Sequence, residues 1–228
     1  MKVYNDVKEC LKAGKKCTRL RLEGDEYSRF PYTKTLERLT EATNLKSLVI
    51  SDTQLKKIPE RIKKLSHLER LNISNHEMNL PIPKELNTFT NLEFLTLRNN
   101  QFTGSLPKEF GNLKNLEYLD VRENHLEGEI PKELGNLTKL KDLFLSQNNF
   151  SGKIPKELGQ LENLVVFTVS RNNLSGEIPK ELGNLKNVVT IELTYNPKLI
   201  GKIPDEINAL KENNRLINLW TTGTGLTS

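Results

Sequence analysis

Phe94-Leu95-Thr96-Leu97-Arg98-Asn99-Asn100 returns three times, as Tyr118-Leu119-Asp120-Val121-Arg122-Glu123-Asn124, Asp142-Leu143-Phe144-Leu145-Ser146-Gln147-Asn148 and Val166-Phe167-Thr168-Val169-Ser170-Arg171-Asn172. Each copy continues through a Gly, an Ile/Leu-Pro-Lys-Glu and a Leu/Phe-Gly-Asn/Gln-Leu. The anchors Leu92, Leu116, Leu140, Leu164 and Val188 lie 24 residues apart. A fixed period in the twenties defines a solenoid, in which each unit buries its apolar face only against its neighbours. In L-x-L the two Leu side chains face one side of a strand and the residue between them faces the other.

The pattern L-x-x-L-x-L-x-x-N-x-L-x-G-x-I-P-x-x-L-G-x-L, cleanest from Leu140 to Gln160 and Leu164 to Asn184, resembles the leucine-rich repeat, in its plant-type subclass marked by Gly-x-Ile-Pro. The resemblance implies an α/β solenoid: a right-handed superhelix with a concave parallel β-sheet and a helical N-terminal cap. It also implies binding of proteins or peptides, although a fold alone does not fix a function. Earlier repeats deviate. From Leu45 to Leu68 the Gly-x-Ile-Pro segment is absent, Thr53 stands for the Asn, and Leu55-x-x-Ile58-Pro59-Glu60-x-Ile62 looks more like bacterial repeats. His76 takes the Asn place in the next one. A microbial protein with a hybrid array is one reading of this mixture.

The chain divides as residues 1–42 (cap and irregular first rung), 43–211 (repeats) and 212–228 (terminal strand and tail). Val3, Val7, Cys10 and Leu11 are spaced as one helical face, and Gly14 is a stop. A cap is needed because a solenoid end otherwise exposes apolar surface and an open strand edge. Plant relatives commonly carry paired cysteines in their caps, but their Cys-Trp signature is missing here. Cys10 and Cys17 therefore leave a bridge or two buried thiols open. Residues 23–41 depart from the repeat; Phe30 and Tyr32 could plug the cap edge or form a contact surface, and Leu36 and Leu39 suggest a short helix. Leu216 to Trp220 reads as a terminal strand, and the Thr/Gly-rich tail from Thr221 as loose.

Net charge is +5, unevenly placed: residues 1–71 hold 17 Lys/Arg against 10 Asp/Glu, and the rest 17 against 19. The excess is expected to lie on solvated outer faces. No apolar run approaches the roughly 20 residues that span a bilayer. Met1 to Asp6 lacks a signal core, which fits a cytoplasmic chain or the mature form of a secreted one. His67, His76 and His125 fall in different columns. No metal-ligand cluster, nucleophile elbow, phosphate loop or cofactor motif occurs, so an enzyme is not expected. Mixed charges on the sheet argue against nucleic acid, and a monomer is expected.

Folding accounts for the Leu, Asn, Gly and Pro columns. The buried amides of Asn100, Asn124, Asn148, Asn172 and Asn196 should satisfy loop backbone. The outward strand positions remain for function. Phe94, Tyr118 and Phe144 should form an aromatic diagonal on the concave face, with Arg98 and Arg122 beside it and Asp120, Asp142 and Glu123 close by. Arg70, Arg171 and Tyr195 complete the candidate partner-binding set, because aromatics and Arg dominate interface hot spots. The expected function is protein or peptide recognition. Inhibition of a secreted enzyme, or an adhesive surface role without a single partner, are the other readings.

Overall fold

The computed structural model describes residues 2–24, 39, 41–53, 55–213 and 215–227. Phe30, Tyr32 and Leu36 lie outside them. Strands are numbered along the chain: β1 (Arg19–Glu23), β2 (Ser47–Ser51), β3 (Arg70–Ser74), β4 (Phe94–Thr96), β5 (Tyr118–Asp120), β6 (Glu127–Glu129), β7 (Asp142–Phe144), β8 (Asn149–Gly152), β9 (Val166–Thr168), β10 (Asn173–Gly176), β11 (Thr190–Glu192), β12 (Lys198–Lys202), β13 (Asn218–Trp220) and β14 (Gly225–Thr227). Among the described residues nine strands form the concave parallel sheet, in the order β1-β2-β3-β4-β5-β7-β9-β11-β13. Register is in phase throughout: Leu48, Leu71, Leu95, Leu119, Leu143, Phe167, Ile191 and Leu219 occupy one row. All but Leu219 are buried, because the strand period of two sends every L-x-L pair inward.

A second parallel sheet, β6-β8-β10-β12-β14, runs along the Gly-x-Ile-Pro flank. It has no counterpart in the sequence reading. Gly128, Gly152, Gly176 and Gly201 adopt φ between 75° and 86°, which turns the chain out of this sheet at little cost only without a side chain. Pro131, Pro155 and Pro179 then lead into short 3₁₀ helices on the convex side, Lys132–Asn136, Lys156–Gln160 and Lys180–Asn184. The tail, expected to be loose, instead forms β14. Ile200, Gly201 and Lys202 pair with Gly225, Leu226 and Thr227, so the tail supplies the last strand of the second sheet.

At the N-terminus helix α1 (Val7–Ala13) begins four residues after Val3, the first residue of the expected helical face. Asp6 caps it by accepting a 2.9 Å hydrogen bond from the Glu9 amide, and Gly14 ends it at φ 53°. Val3 is exposed, because Tyr4 lies in an extended segment that pairs with Leu20 and covers the free edge of β1. Cys10 and Cys17 are both buried and form a disulfide with Cα atoms 5.2 Å apart. Leu39 is buried in the stack. Helix α2 (Asp205–Glu212) closes the last repeat, with Asp205 and Glu206 favourably placed in its first turn.

The Asn column is the inner fastening. Asn124 donates to the carbonyls of Leu97 and Val121, both at 2.9 Å, and its Oδ1 accepts from the amides of Asn100 (3.1 Å) and Phe102 (2.9 Å). Asn100, Asn148, Asn172 and Asn196 likewise donate to two such carbonyls, and each accepts from one backbone amide. An amide is required because the site needs a donor and an acceptor on one short side chain.

Candidate functional site

The concave sheet presents two register rows. The first runs Arg70, Phe94, Tyr118, Asp142 across β3, β4, β5 and β7. The second runs Asn72, Thr96, Asp120, Phe144, Thr168 across β3 to β9. The three aromatic rings form a continuous, half-buried surface. Phe94 stacks on Tyr118 with centroids 6.0 Å apart, and Tyr118 meets Phe144 at 5.3 Å, tilted by 50°. Such offset pairs add about 0.5–1.5 kcal/mol beyond burial and keep the rings in place.

Two arginines lie over the rings. The Arg70 guanidinium sits 3.4 Å from the Phe94 centroid, and that of Arg122 4.3 Å from Phe144. Arg122 is also clamped to Asp120 by a bidentate pair, Nε to Oδ1 at 2.9 Å and Nη2 to Oδ2 at 2.7 Å, which raises its pKa further. Asp120 additionally accepts from the Arg122 amide, and at 3.4 Å from the Tyr118 hydroxyl. Burial, and then the Asp120 charge, push the Tyr118 phenol above its ordinary value. Asp120, expected as a contact residue, is only 2% exposed and instead holds Arg122 over Phe144. Arg98 is similarly occupied, by Glu123 of the next repeat.

Asp142 differs. Among the described residues its carboxylate has no ion-pair or hydrogen-bond partner, and burial raises its pKa although Lys141 partly offsets this. Lys141 itself is engaged by Glu117 at 2.8 Å. Arg171 and Tyr195 do not join this patch. They pair with each other, guanidinium to ring centroid 4.5 Å, beyond the ends of β9 and β11. Their column was expected on the flat sheet, but Asp52, Asn75, Asn99, Glu123, Gln147, Arg171 and Tyr195 all have φ between 54° and 64°. The strands are over by then, and this column forms the left-handed corner that turns the chain off the sheet.

Two further groups belong to the patch. Asn72 Oδ1 and Thr168 Oγ1 are buried on the concave side without hydrogen-bond partners among the described residues. Their place in the second row was visible in the sequence, but not their lack of partners. A shallow hollow of about 360 Å³ lies between Arg70, Asn72, Phe94, Thr96 and Tyr118. Among the described residues no three His, Cys, Asp or Glu converge as metal ligands, and no helix is long and apolar enough to cross a membrane.

This architecture defines a leucine-rich repeat solenoid, and the chain belongs to that family: a leucine-rich repeat region matches residues 17–146 and again 83–212. No curated protein matches the chain. Among solved structures it is similar to the leucine-rich repeat ectodomain of the plant membrane receptor kinase GASSHO1/SCHENGEN3 from Arabidopsis thaliana, solved in complex with CASPARIAN STRIP INTEGRITY FACTOR 2 (30% identity, TM-score 0.83, 99% of this chain and 26% of that one). It is also similar to a leucine-rich repeat protein of Leptospira interrogans (29%, TM-score 0.81, 100% and 54%). A third is the plant peptide hormone receptor RGFR1 in complex with RGF2 (30%, TM-score 0.65, 82% and 34%). The chain spans about a quarter to a half of the length of these proteins.

Proposed function

We propose that the chain is a non-enzymatic recognition module that docks a peptide or extended protein segment across its concave sheet. The observation that carries this reading is the continuous row of half-buried rings, Phe94, Tyr118 and Phe144, with arginines fixed on top of it. Solenoid folding needs none of these side chains, and aromatics with Arg form most binding hot spots. The complexes of similar ectodomains support peptide or protein recognition. Among the described residues the concave side carries a shallow hollow rather than an enclosed pocket of the kind that tunes a carboxylate for catalysis. Residues 43–211 are taken as the recognising repeats, with 1–42 and 212–228 as end pieces. The cap disulfide supports an oxidising compartment.

The test is selection of binders from a displayed peptide library on the intact chain, followed by titration against variants. Tyr118→Ala should weaken binding about 30-fold, the equivalent of 2 kcal/mol at a hot spot. The Phe94→Ala/Tyr118→Ala/Phe144→Ala triple variant should abolish it while retaining the wild-type circular dichroism spectrum. Unchanged affinity in the folded triple variant removes the reading. Weak, saturation-free adherence of many unrelated peptides would favour a general adhesive surface.

A further inference from the structure

The concave-face reading leaves the chemistry of the ligand open, and the charges on the patch narrow it. Of the charged groups around the rings, Arg122 is held by Asp120, Arg98 by Glu123 and Lys141 by Glu117. Arg70 and Asp142 have no ion-pair partner among the described residues, and they occupy the two ends of one register row, Arg70-Phe94-Tyr118-Asp142. The row therefore reads cation, ring, ring, anion. Adjacent parallel strands lie about 4.8 Å apart, so its ends are separated by about 14 Å at the backbone.

We propose, resting on the concave-face reading, that this row selects an extended peptide with an acidic, an apolar and a basic side chain at alternate positions, acid-x-apolar-x-base, laid across β3 to β7. An extended chain rises about 3.4 Å per residue, so positions i and i+4 lie about 14 Å apart. Alternation also places i, i+2 and i+4 on the same face of the peptide. The acid meets Arg70, the apolar residue covers Phe94 and Tyr118, and the base meets Asp142. A bound base pairs a half-buried carboxylate that has no partner among the described residues, and a bound acid supplies Arg70 with a counter-charge that these residues do not. Like charge at either end is repelled, so the row fixes the direction of the peptide as well as its composition.

The experiment uses a displayed library of random linear peptides selected on the intact chain, with counter-selection on the Phe94→Ala/Tyr118→Ala/Phe144→Ala variant. The enriched pool is expected to carry acid and base four residues apart with an apolar residue midway. A synthetic member should lose tenfold or more in affinity when its base is moved to i+3. Selection on Arg70→Glu/Asp142→Lys should return the pattern with its signs reversed. A pool that depends on the three rings but shows no charge pattern, or the same pattern on the charge-reversed chain, overturns the proposal and leaves the concave-face reading standing. A pool indifferent to the rings overturns both. If the charge-reversed chain does not fold, the wild-type pool and the shifted peptide decide alone.

Discussion

The first three rungs and those from Leu92 onward share the same inward Leu pairs, but their backs are fastened differently. Strands β1 to β3 pair over five residues each, whereas β4, β5, β7, β9 and β11 span three. The later rungs replace strand length with three other fastenings: the buried Asn amides, the second sheet, and a close stack of 3₁₀ helices. That stack depends on Gly111, Gly135 and Gly159, where an added Cβ would overlap the carbonyl of Glu133, Glu157 or Glu181 in the next repeat. The corresponding places in the earlier repeats are Lys63, exposed, and Asn87, whose buried Oδ1 lacks a partner among the described residues. Thr53 and His76 stand where the amides would be. A regular repeat thus satisfies its backbone with side chains of fixed identity, while an irregular one depends on a longer ladder and tolerates substitution.

The sharpest way to break this contrast is at the glycine column. Gly159→Ala should cost about 3 kcal/mol, the upper part of the range for overpacking, because backbone rather than a flexible side chain blocks the Cβ. Lys63→Ala at the equivalent place should stay within about 0.5 kcal/mol. Urea unfolding of both variants measures the difference, and equal costs would refute the close-stack account. Next comes the amide column. Asn148→Ala takes the acceptor from the Leu126 amide and one of two amide donors from each of the Val121 and Leu145 carbonyls, for about 2 kcal/mol. Thr53→Ala should lose less than half of that, since among the described residues the Thr53 hydroxyl makes one contact, of 3.5 Å, with His76.

His76 sharpens the contrast through pH. Its ring nitrogens lie 2.8 Å from the Thr53 carbonyl and 3.2 Å from that of Ile50. Burial outweighs these contacts and pushes its pKa below the ordinary histidine value. The unfolded chain therefore binds the proton more readily than the folded one, and stability falls as pH drops below about 6.5. Above that value the contribution is flat. Thermal melts at pH 7.5 and 5.5 should show a smaller loss for His76→Asn than for the wild type, and an identical loss would contradict the assignment. The smallest effect is expected at the corner column. Tyr195 holds φ 55°, a conformation costing a non-glycine residue about 1 kcal/mol. Tyr195→Gly relieves that strain but loses the stacking of Arg171, so its midpoint in urea should move by less than that of Asn148→Ala.

The period of 24 and the L-x-L spacing were sufficient to order the concave strands and to set Phe94, Tyr118 and Phe144 side by side. Identical repeats stack in phase, so linear spacing becomes spatial adjacency. The second sheet was not legible, since Glu127-Gly128-Glu129 carries no strand propensity and pairs only because its neighbours hold it in register. The tail was misread for the same reason: Gly225-Leu226-Thr227 looks loose until β12 offers it an edge. Charge pairing was likewise invisible. The letters place Asp120 and Asp142 on equal terms, and long side chains choose their partners in space. Arg122 reaches Asp120 and leaves Asp142 alone, so which carboxylate remains free to meet a ligand followed from three-dimensional packing, while the row on which it stands followed from the repeat.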